Sequence, residues 1–356
     1  MKRYVALLTV ILLSCSKDSS VFNPPGSEES NEIVFISRRI ENSADWQLYI
    51  MNPDGTEQRK LTDDIVTCQT PVVSPDGENI AYTTYQDNTY KLWVVDRNGG
   101  NKKPVAEHEN HITGIAWSPD NQTIAFVKSY PYNHIYTANI ISGIERRSTD
   151  GEYDYSPAFL DNNTIIYTSA ADIYSGYSGI YSIDLNGGNK KLLTPEGKYF
   201  SMPRISPDKK MIAMVQPSWE GSQIYTMRID GSHLKQLTNT AASFQYPGSP
   251  RDGNRDPQWS PDSKRLVYVS YAVNGSPDIF AMDPDGKNNK ILTDGIKRDE
   301  SPSWSADGSH ILFSSNSNPE INTEIYIMTG EGRNPKPLTK HVYDDVFPVF
   351  LKANNH

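Results

Sequence analysis

Four residues of this chain carry the side chains that proton transfer on an acidic sugar would need: His111, His134, Tyr132 and Arg255. An imidazole can remove a proton, a phenol can return it, and a guanidinium can neutralise a uronate carboxylate. If the fold brings the four together, we expect a polysaccharide lyase that acts on a uronate-containing polymer. The competing expectation is that these residues contribute to binding alone.

The sequence does not predict metal or cofactor chemistry. His108 and His111 stand three residues apart in the segment HENH, but no third ligand is evident in the sequence. The segments NPDGTE at Asn52 and DPDGKN at Asp283 lack the alternating ligands and final glutamate of a calcium loop. We interpret both as turns, and we predict no cofactor and no bound metal.

Aromatic side chains, together with two arginines, form a second group of candidates. Aromatic faces stack on sugar rings, and the polar tips of these side chains hydrogen-bond peptides or glycans. The alternative is that several of them only pack inside the fold. The candidates are Trp46, Tyr85, Tyr90, Tyr130, Tyr132, Tyr174, Tyr177, Trp219, Tyr246 and Tyr271, with Arg251 and Arg255.

A recurring phrase indicates which elements must position these residues. DPQWSPDSKRLVYVS at Asp256 has counterparts along the chain, each followed by a phrase such as GIYSIDLNGG at Gly179 and then one such as KQLT at Lys235. The period of about 40 to 55 residues is in the range of propeller blades. Alternating apolar and polar residues, with Pro, Asp and Gly turns between them, predict four strands a to d per unit.

The number of units follows from strand b. Its seven copies begin near Glu32, Asn79, Thr123, Thr164, Met211, Arg265 and His310. The first copy has no strand a before it, and the chain ends with an isolated strand at residues 347–351. We therefore predict an all-β, seven-bladed β-propeller over residues 32–356, closed by the C-terminal strand completing the first blade.

These phrases resemble the repeats of TolB-like propellers, from Glu32 to Leu351. Similar seven-bladed propellers also form some polysaccharide lyases. The fold alone therefore does not decide between a binding protein and a lyase. The resemblance implies a non-catalytic envelope protein. Its partner would be an envelope protein or a glycan.

Antiparallel strands place the a–b and c–d hairpins on one face and the longer b–c and d–a loops on the other. We expect binding through this second face, because variable loops on a rigid scaffold carry recognition. Residues just before strand a should line the mouth of the central channel: His111, Asp154, Asp256, Asp299 and Asp345. Such a ring could hold a cation or the basic end of a peptide, or each aspartate could cap its own turn.

The N-terminus predicts export and a lipid anchor. Residues 1–14, MKRYVALLTVILLS, have two basic residues and an apolar run, as a signal peptide does. LLSC resembles the lipobox of bacterial lipoproteins, which implies lipidation of Cys15 and a flexible tether over residues 15–31. CSKD is similar to the tails of Bacteroidetes lipoproteins. We expect a cell-envelope protein anchored in the outer membrane, facing the periplasm or the cell surface.

Cysteine count and charge narrow the remaining possibilities. If Cys15 carries lipid, Cys68 has no partner and no disulfide stabilises the fold. The formal net charge is −9, which disfavours nucleic acid and anionic headgroups as partners. We expect a monomer that contacts the membrane through its lipid anchor only.

Overall fold

The alternating phrases of the sequence form short antiparallel strands. The computed structural model describes residues 31–39, 45–67, 69–170, 177–218, 220–239, 253–273, 276–294, 297–316 and 322–352. These residues form 28 strands in seven sheets of four strands each. They include no apolar helix of membrane-spanning length.

The first four sheets, blades 1 to 4, take up the N-terminal half. Blade 1 contains β1 (Ile33–Ser37), β2 (Gln47–Met51) and β3 (Arg59–Lys60). Blade 2 contains β4 (Val72–Val73), β5 (Asn79–Gln86), β6 (Thr89–Asp96) and β7 (Lys103–His108). Blade 3 contains β8 (Ile112–Trp117), β9 (Thr123–Lys128), β10 (His134–Asn139) and β11 (Glu145–Arg147). Blade 4 contains β12 (Tyr153–Phe159), β13 (Thr164–Ala170), β14 (Ser178–Asp184) and β15 (Lys191–Leu192).

The remaining strands form blades 5 to 7 and the closing strand. Blade 5 contains β16 (Ser201–Ile205), β17 (Met211–Gln216), β18 (Gln223–Arg228) and β19 (Lys235–Gln236). Blade 6 contains β20 (Asn254–Trp259), β21 (Leu266–Val273), β22 (Ser276–Met282) and β23 (Lys290–Ile291). Blade 7 contains β24 (Arg298–Trp304), β25 (His310–Asn316), β26 (Glu324–Thr329) and β27 (Lys336–Pro337). The last strand is β28 (Asp345–Phe350).

The last strand supplies the inner strand of the first blade. β28 pairs antiparallel with β1, with Val349 opposite Val34 and Val346 opposite Ile36. The Leu351 amide also donates to the Glu32 carbonyl at 2.7 Å. Blade 1 is therefore built from both ends of the chain, and the predicted seven-bladed, all-β architecture is confirmed.

Seven separate cores lie between neighbouring blades, so each sheet buries both of its faces. Between blades 4 and 5, for example, Ile166 packs with Ile212 and Met214. Between blades 7 and 1, Leu312 packs with Phe35. Because every pair of neighbours shares such a core, apolar burial holds the ring together all the way round.

The SPD phrase forms a self-bonded hairpin at the end of strand a. In blade 6, the Ser260 hydroxyl donates to Asp262 at 2.6 Å and accepts from the Arg265 amide at 2.9 Å. The same serine–aspartate bond occurs at Ser74, Ser118, Ser206 and Ser305. The side chains satisfy the turn's own backbone, which is why this phrase recurs.

Strand a differs from the prediction because it carries a β-bulge in six of the seven blades. Each bulge shifts the register and contains a residue with positive φ, and these residues are Gly114, Ser156, Met202, Asp256, Ser301 and Phe347. A proline follows in five of the six copies. Proline cannot donate to a strand ladder, so the bulge removes it from the pairing and bends the strand near the channel.

Candidate functional site

The b–c turns and the d–a connections lie together on one side of the ring, which we call the loop face. In blade 3, the Asn133 amide donates to the Glu152 carbonyl at 2.7 Å, and the Asp154 amide donates back to the Asn133 carbonyl at 2.9 Å. Trp46 and Val66 form a similar bridge at blade 1. These backbone bonds fix neighbouring loops to each other, so side chains on the face have defined positions.

Three rings form a row on blade 2 and its connection to blade 3. The centroid of Tyr85 lies 4.4 Å from that of Tyr90, which lies 4.6 Å from the ring of His111. Tyr85 is 48% exposed, and burial raises the pKa of the Tyr90 phenol above its ordinary value. The sequence placed His111 at the channel mouth, and in the structure its ring supports this row.

Blade 3 presents two more exposed tyrosines. Tyr130 is 74% exposed and Tyr132 is 40% exposed. The Tyr132 ring meets Tyr153 edge-on and also lies near His134, with both centroids at 6.2 Å. Because a carbonyl only accepts, the 2.6 Å contact between His134 Nδ1 and the carbonyl oxygen of Gly151 places a proton on Nδ1. This bond fixes the imidazole in place.

On blade 6, Arg255 is already neutralised. Its guanidinium lies 2.6 Å from Glu300 and stacks over Tyr271 with its carbon 5.0 Å from the ring centroid. The Tyr271 hydroxyl also donates to Glu300 at 3.2 Å, and Tyr271 is buried. These contacts tie blades 6 and 7 together. A cleft of about 100 Å³ beside them is lined by Arg298, Glu300, Ser301, Ser314, Asn316, Thr323, Val346 and Phe347.

On blade 1, two arginines connect the ends of the chain. Arg38 lies over Trp46 at 5.3 Å and pairs with Asp344 at 3.4 Å. Arg39 pairs with the fully buried Asp345 at 2.5 Å. Trp46 is partly buried beneath Arg38. Its indole is therefore held by a neighbour and is only partly available to a ligand.

The aspartates expected at the channel mouth fall into two groups. Asp154, Asp299 and Asp345 are buried, and each lies opposite a serine of strand b, namely Ser169, Ser315 and Ser37. Asp256 remains accessible on its bulge, with Arg255 3.7 Å away. Three of the four aspartates are therefore packed between strands. The paired serines are the sequence signal that could have indicated this.

The buried carboxylate of Asp299 is the most perturbed of this set. Burial, with a further contribution from Asp278, raises the pKa of Asp299 to about 6. Thr293 donates to Asp278 at 2.9 Å at the same junction of blades 6 and 7. The arrangement is a buried polar contact between two blades.

The four residues that a lyase would need are divided between two parts of the ring. His111, Tyr132 and His134 belong to blade 3, whereas Arg255 lies three blades further on and is paired with Glu300. The described ranges contain no group of three or more His, Cys, Asp or Glu side chains that could hold a metal ion. The candidates Cys15, Trp219, Tyr246 and Arg251 lie outside the described residues, as do Cys68 and Tyr174.

Comparison with known proteins places this architecture among named relatives. The family model described as TolB beta propeller domain matches residues 29–252. A TolB homolog of Chlorobaculum tepidum is 32% identical over 120 residues, which is 33% of this chain and 27% of the relative. The Tol-Pal system protein TolB of Francisella tularensis subsp. mediasiatica is 25% identical over 274 residues, 73% of this chain and 59% of the relative.

A solved structure shows the same fold. The crystal structure of TolB from Acinetobacter baumannii superimposes with a TM-score of 0.57 at 20% identity, covering 90% of this chain and 83% of that one. The chain spans less than two thirds of the length of either of the two relatives above. The likeness therefore concerns the propeller.

Proposed function

The chain belongs to the TolB β-propeller family, and from this premise we propose that it is a lipid-anchored protein of the bacterial cell envelope that binds a protein or glycan partner through its loop face. On this proposal the binding is not catalytic. The name of the Francisella relative, a Tol-Pal system protein, supports a role in the envelope.

The observation that carries the proposal is the contrast between the two faces of the ring. The SPD hairpins of the opposite face satisfy their own backbone with serine and aspartate side chains. The loop face instead exposes tyrosine rings, such as Tyr130 and Tyr177, to solvent. Exposed aromatic rings with polar tips are what a recognition surface uses.

The proposed lipid anchor determines where in the cell the protein would be located. Lipidated Cys15, followed by a tether over residues 15–31, would hold the propeller at the outer membrane, on its periplasmic or its external side. Mass spectrometry of the N-terminal peptide should find acyl chains on Cys15, and Cys15→Ala should release the protein from membranes. An unmodified Cys15 in membrane-bound protein would overturn the anchor.

Photo-crosslinking in the bacterium that encodes the chain tests which face of the ring binds the partner. A photo-reactive phenylalanine replaces Tyr130 or Tyr177 on the loop face, or Ile141, which is 72% exposed on the opposite face. We expect discrete covalent adducts from the first two positions and none from position 141. Adducts from position 141 alone would place the partner on the hairpin face and contradict the proposal.

A lyase activity is the alternative that this assignment must exclude. Purified protein incubated with a uronate polymer would release unsaturated products that absorb ultraviolet light, and His134→Ala would abolish the signal. We expect no such absorbance, because Arg255 already neutralises Glu300 and lies three blades from His134.

A further inference from the structure

Among the described residues, the exposed tyrosines of the loop face lie on three neighbouring blades. Tyr85 on blade 2, Tyr130 and Tyr132 on blade 3, and Tyr177 on blade 4 are 48%, 74%, 40% and 56% exposed. We call these four residues the tyrosine arc. On blades 2 to 4, the other exposed large apolar side chains among the described residues are those of Ile141 and Ile144, in the c–d turn on the opposite face.

Two rings of the arc are held in place by aromatic neighbours. Tyr85 rests on Tyr90, which in turn rests on His111. Tyr132 meets Tyr153 edge-on, with an angle of 89° between the planes. Rings that are already ordered lose little side-chain entropy when a ligand stacks on them. Tyr85 and Tyr132 therefore offer preorganised flat surfaces, next to the more exposed rings of Tyr130 and Tyr177.

The charges around the arc are unfavourable for an anion. Lys91 pairs with Glu107 at 3.7 Å. Lys128 reaches Glu145 at 2.6 Å and lies 4.9 Å from the centre of the Tyr136 ring, so its ammonium group turns away from the loop face.

The acidic side chains near the arc reinforce this. Asp87, Glu109 and Glu152 are exposed on the turns and connections of blades 2 and 3. These turns and connections of blades 2 and 3 carry no lysine or arginine, so the potential there is negative, and at physiological salt it extends about 8 Å. On blade 4, the exposed Lys198 stands near Glu196 in the connection to blade 5. A uronate or sulfated polymer would meet repulsion on blades 2 and 3.

We propose that the tyrosine arc binds an uncharged glycan chain, with sugar rings stacked on Tyr85, Tyr130 and Tyr177. The proposal rests on the loop-face function given above and adds the class of ligand. A protein interface is disfavoured, because its energetic centre needs a continuous apolar core sealed from water. The arc instead presents rings on three different blades, and Asp87, Glu109 and Glu152 are exposed on the turns and connections of blades 2 and 3.

Native affinity electrophoresis of the full-length, detergent-purified protein tests the ligand class. The gels contain a neutral polysaccharide (dextran, laminarin or mannan) or an acidic one (polygalacturonate or alginate). We expect at least one neutral polymer to retard the protein, and the retardation to persist when salt is raised from about 0.05 to 0.5 M. The acidic polymers should have no effect.

Single substitutions test the assignment of the arc. Tyr130→Ala and Tyr85→Ala should each weaken retardation about tenfold, the effect of losing roughly one stacked ring. Tyr130→Phe keeps the ring and should retain most of the binding. Ile141→Ala, on the opposite face, is the matched control and should leave retardation unchanged.

The outcomes separate this proposal from the one on which it rests. No retardation by any neutral polymer, or equal retardation of Tyr130→Ala, overturns the glycan assignment. Retardation by the acidic polymers overturns the charge argument. If no glycan binds while crosslinking from position 130 yields a protein adduct, the loop-face function stands and the partner is a protein. Absence of both results rejects the two proposals together.

Discussion

Single carboxylates at the start of strand a differ in how their charge is compensated. Asp345 is fully buried and has the guanidinium of Arg39 at 2.5 Å. Asp299 is also buried, and burial followed by the carboxylates of Asp278 and Asp294 raises its pKa. Asp345 therefore has a counter-charge beside it and, among the described residues, Asp299 has none of that kind, so each leads to a different prediction.

Asp299 should make the fold less stable as pH rises. Burial raises its pKa to about 6 from 3.8, so the folded state holds the proton more tightly than the unfolded chain does. This contribution is fully present below about pH 4 and is lost by about pH 6, an effect of up to about 3 kcal/mol. Asp299→Asn should remove this decrease in stability between pH 4 and 6, because the amide does not ionise. Thermal melts from pH 4 to 8 test this, and parallel pH profiles of wild type and variant would contradict it.

Arg39→Ala should destabilise the protein strongly, because it leaves the Asp345 carboxylate buried without its counter-charge. Breaking a buried pair in this way costs about 3 to 5 kcal/mol. The matched control is Arg38→Ala, whose partner Asp344 is partly exposed, and which should cost under about 1 kcal/mol. Urea unfolding measures the loss of stability in both variants. Equal effects would show that the buried pair contributes nothing special.

The sequence predicted the residue types of the loop face better than their roles. Tyr130 and Tyr132 are exposed there as expected, because they lie in a turn between two strands. Tyr271 is buried beneath Arg255 of the neighbouring strand and bonds to Glu300 of the next blade, and the pattern of a single repeat does not show where the next blade lies. For the same reason, spacing along the chain could not show that Asp345 pairs with Arg39.

Among the elements, the a–b hairpin is the unit that most of the blades share. Ser260→Ala should cost about 1 to 2 kcal/mol, because it removes a donor to Asp262 and leaves the Arg265 amide without its acceptor. Ser142→Ala, in an exposed c–d turn, should change stability by less than about 0.5 kcal/mol. Denaturant titration compares the two, and equal midpoints would contradict a stabilising role for the hairpin serine.

Strand b and strand c were predictable because alternation and β-branched residues mark them directly. The bulge of strand a was missed, although the proline that follows it was visible in the sequence. A proline within a strand signals either an edge or a bulge, and only the register of the neighbouring strand decides. Here Asp256 takes positive φ on the bulge and stays accessible.

At the scale of the whole molecule, the two ends of the chain meet in blade 1. Removing residues 345–356 would delete β28 and expose the core faces of Phe35 and Val34. Because a typical domain is stable by only about 5 to 15 kcal/mol, we expect this truncation to abolish cooperative unfolding. Removing residues 353–356 alone keeps β28 and is the control. Circular dichroism melts compare the thermal unfolding of the two truncated proteins with that of the full chain. An unchanged melting temperature after the longer deletion would contradict a role for β28 in closing the ring.

The closed ring gathers the connections between its 28 strands into two faces, and we assign recognition to one of them. Hydrogen–deuterium exchange of the full-length protein, with and without saturating ligand from the electrophoresis or the crosslinking, tests this most directly. We predict slowed exchange in the b–c turns and d–a connections, centred on residues 85–90 and 129–133. Slowed exchange confined to the SPD hairpins and the c–d turns would contradict it.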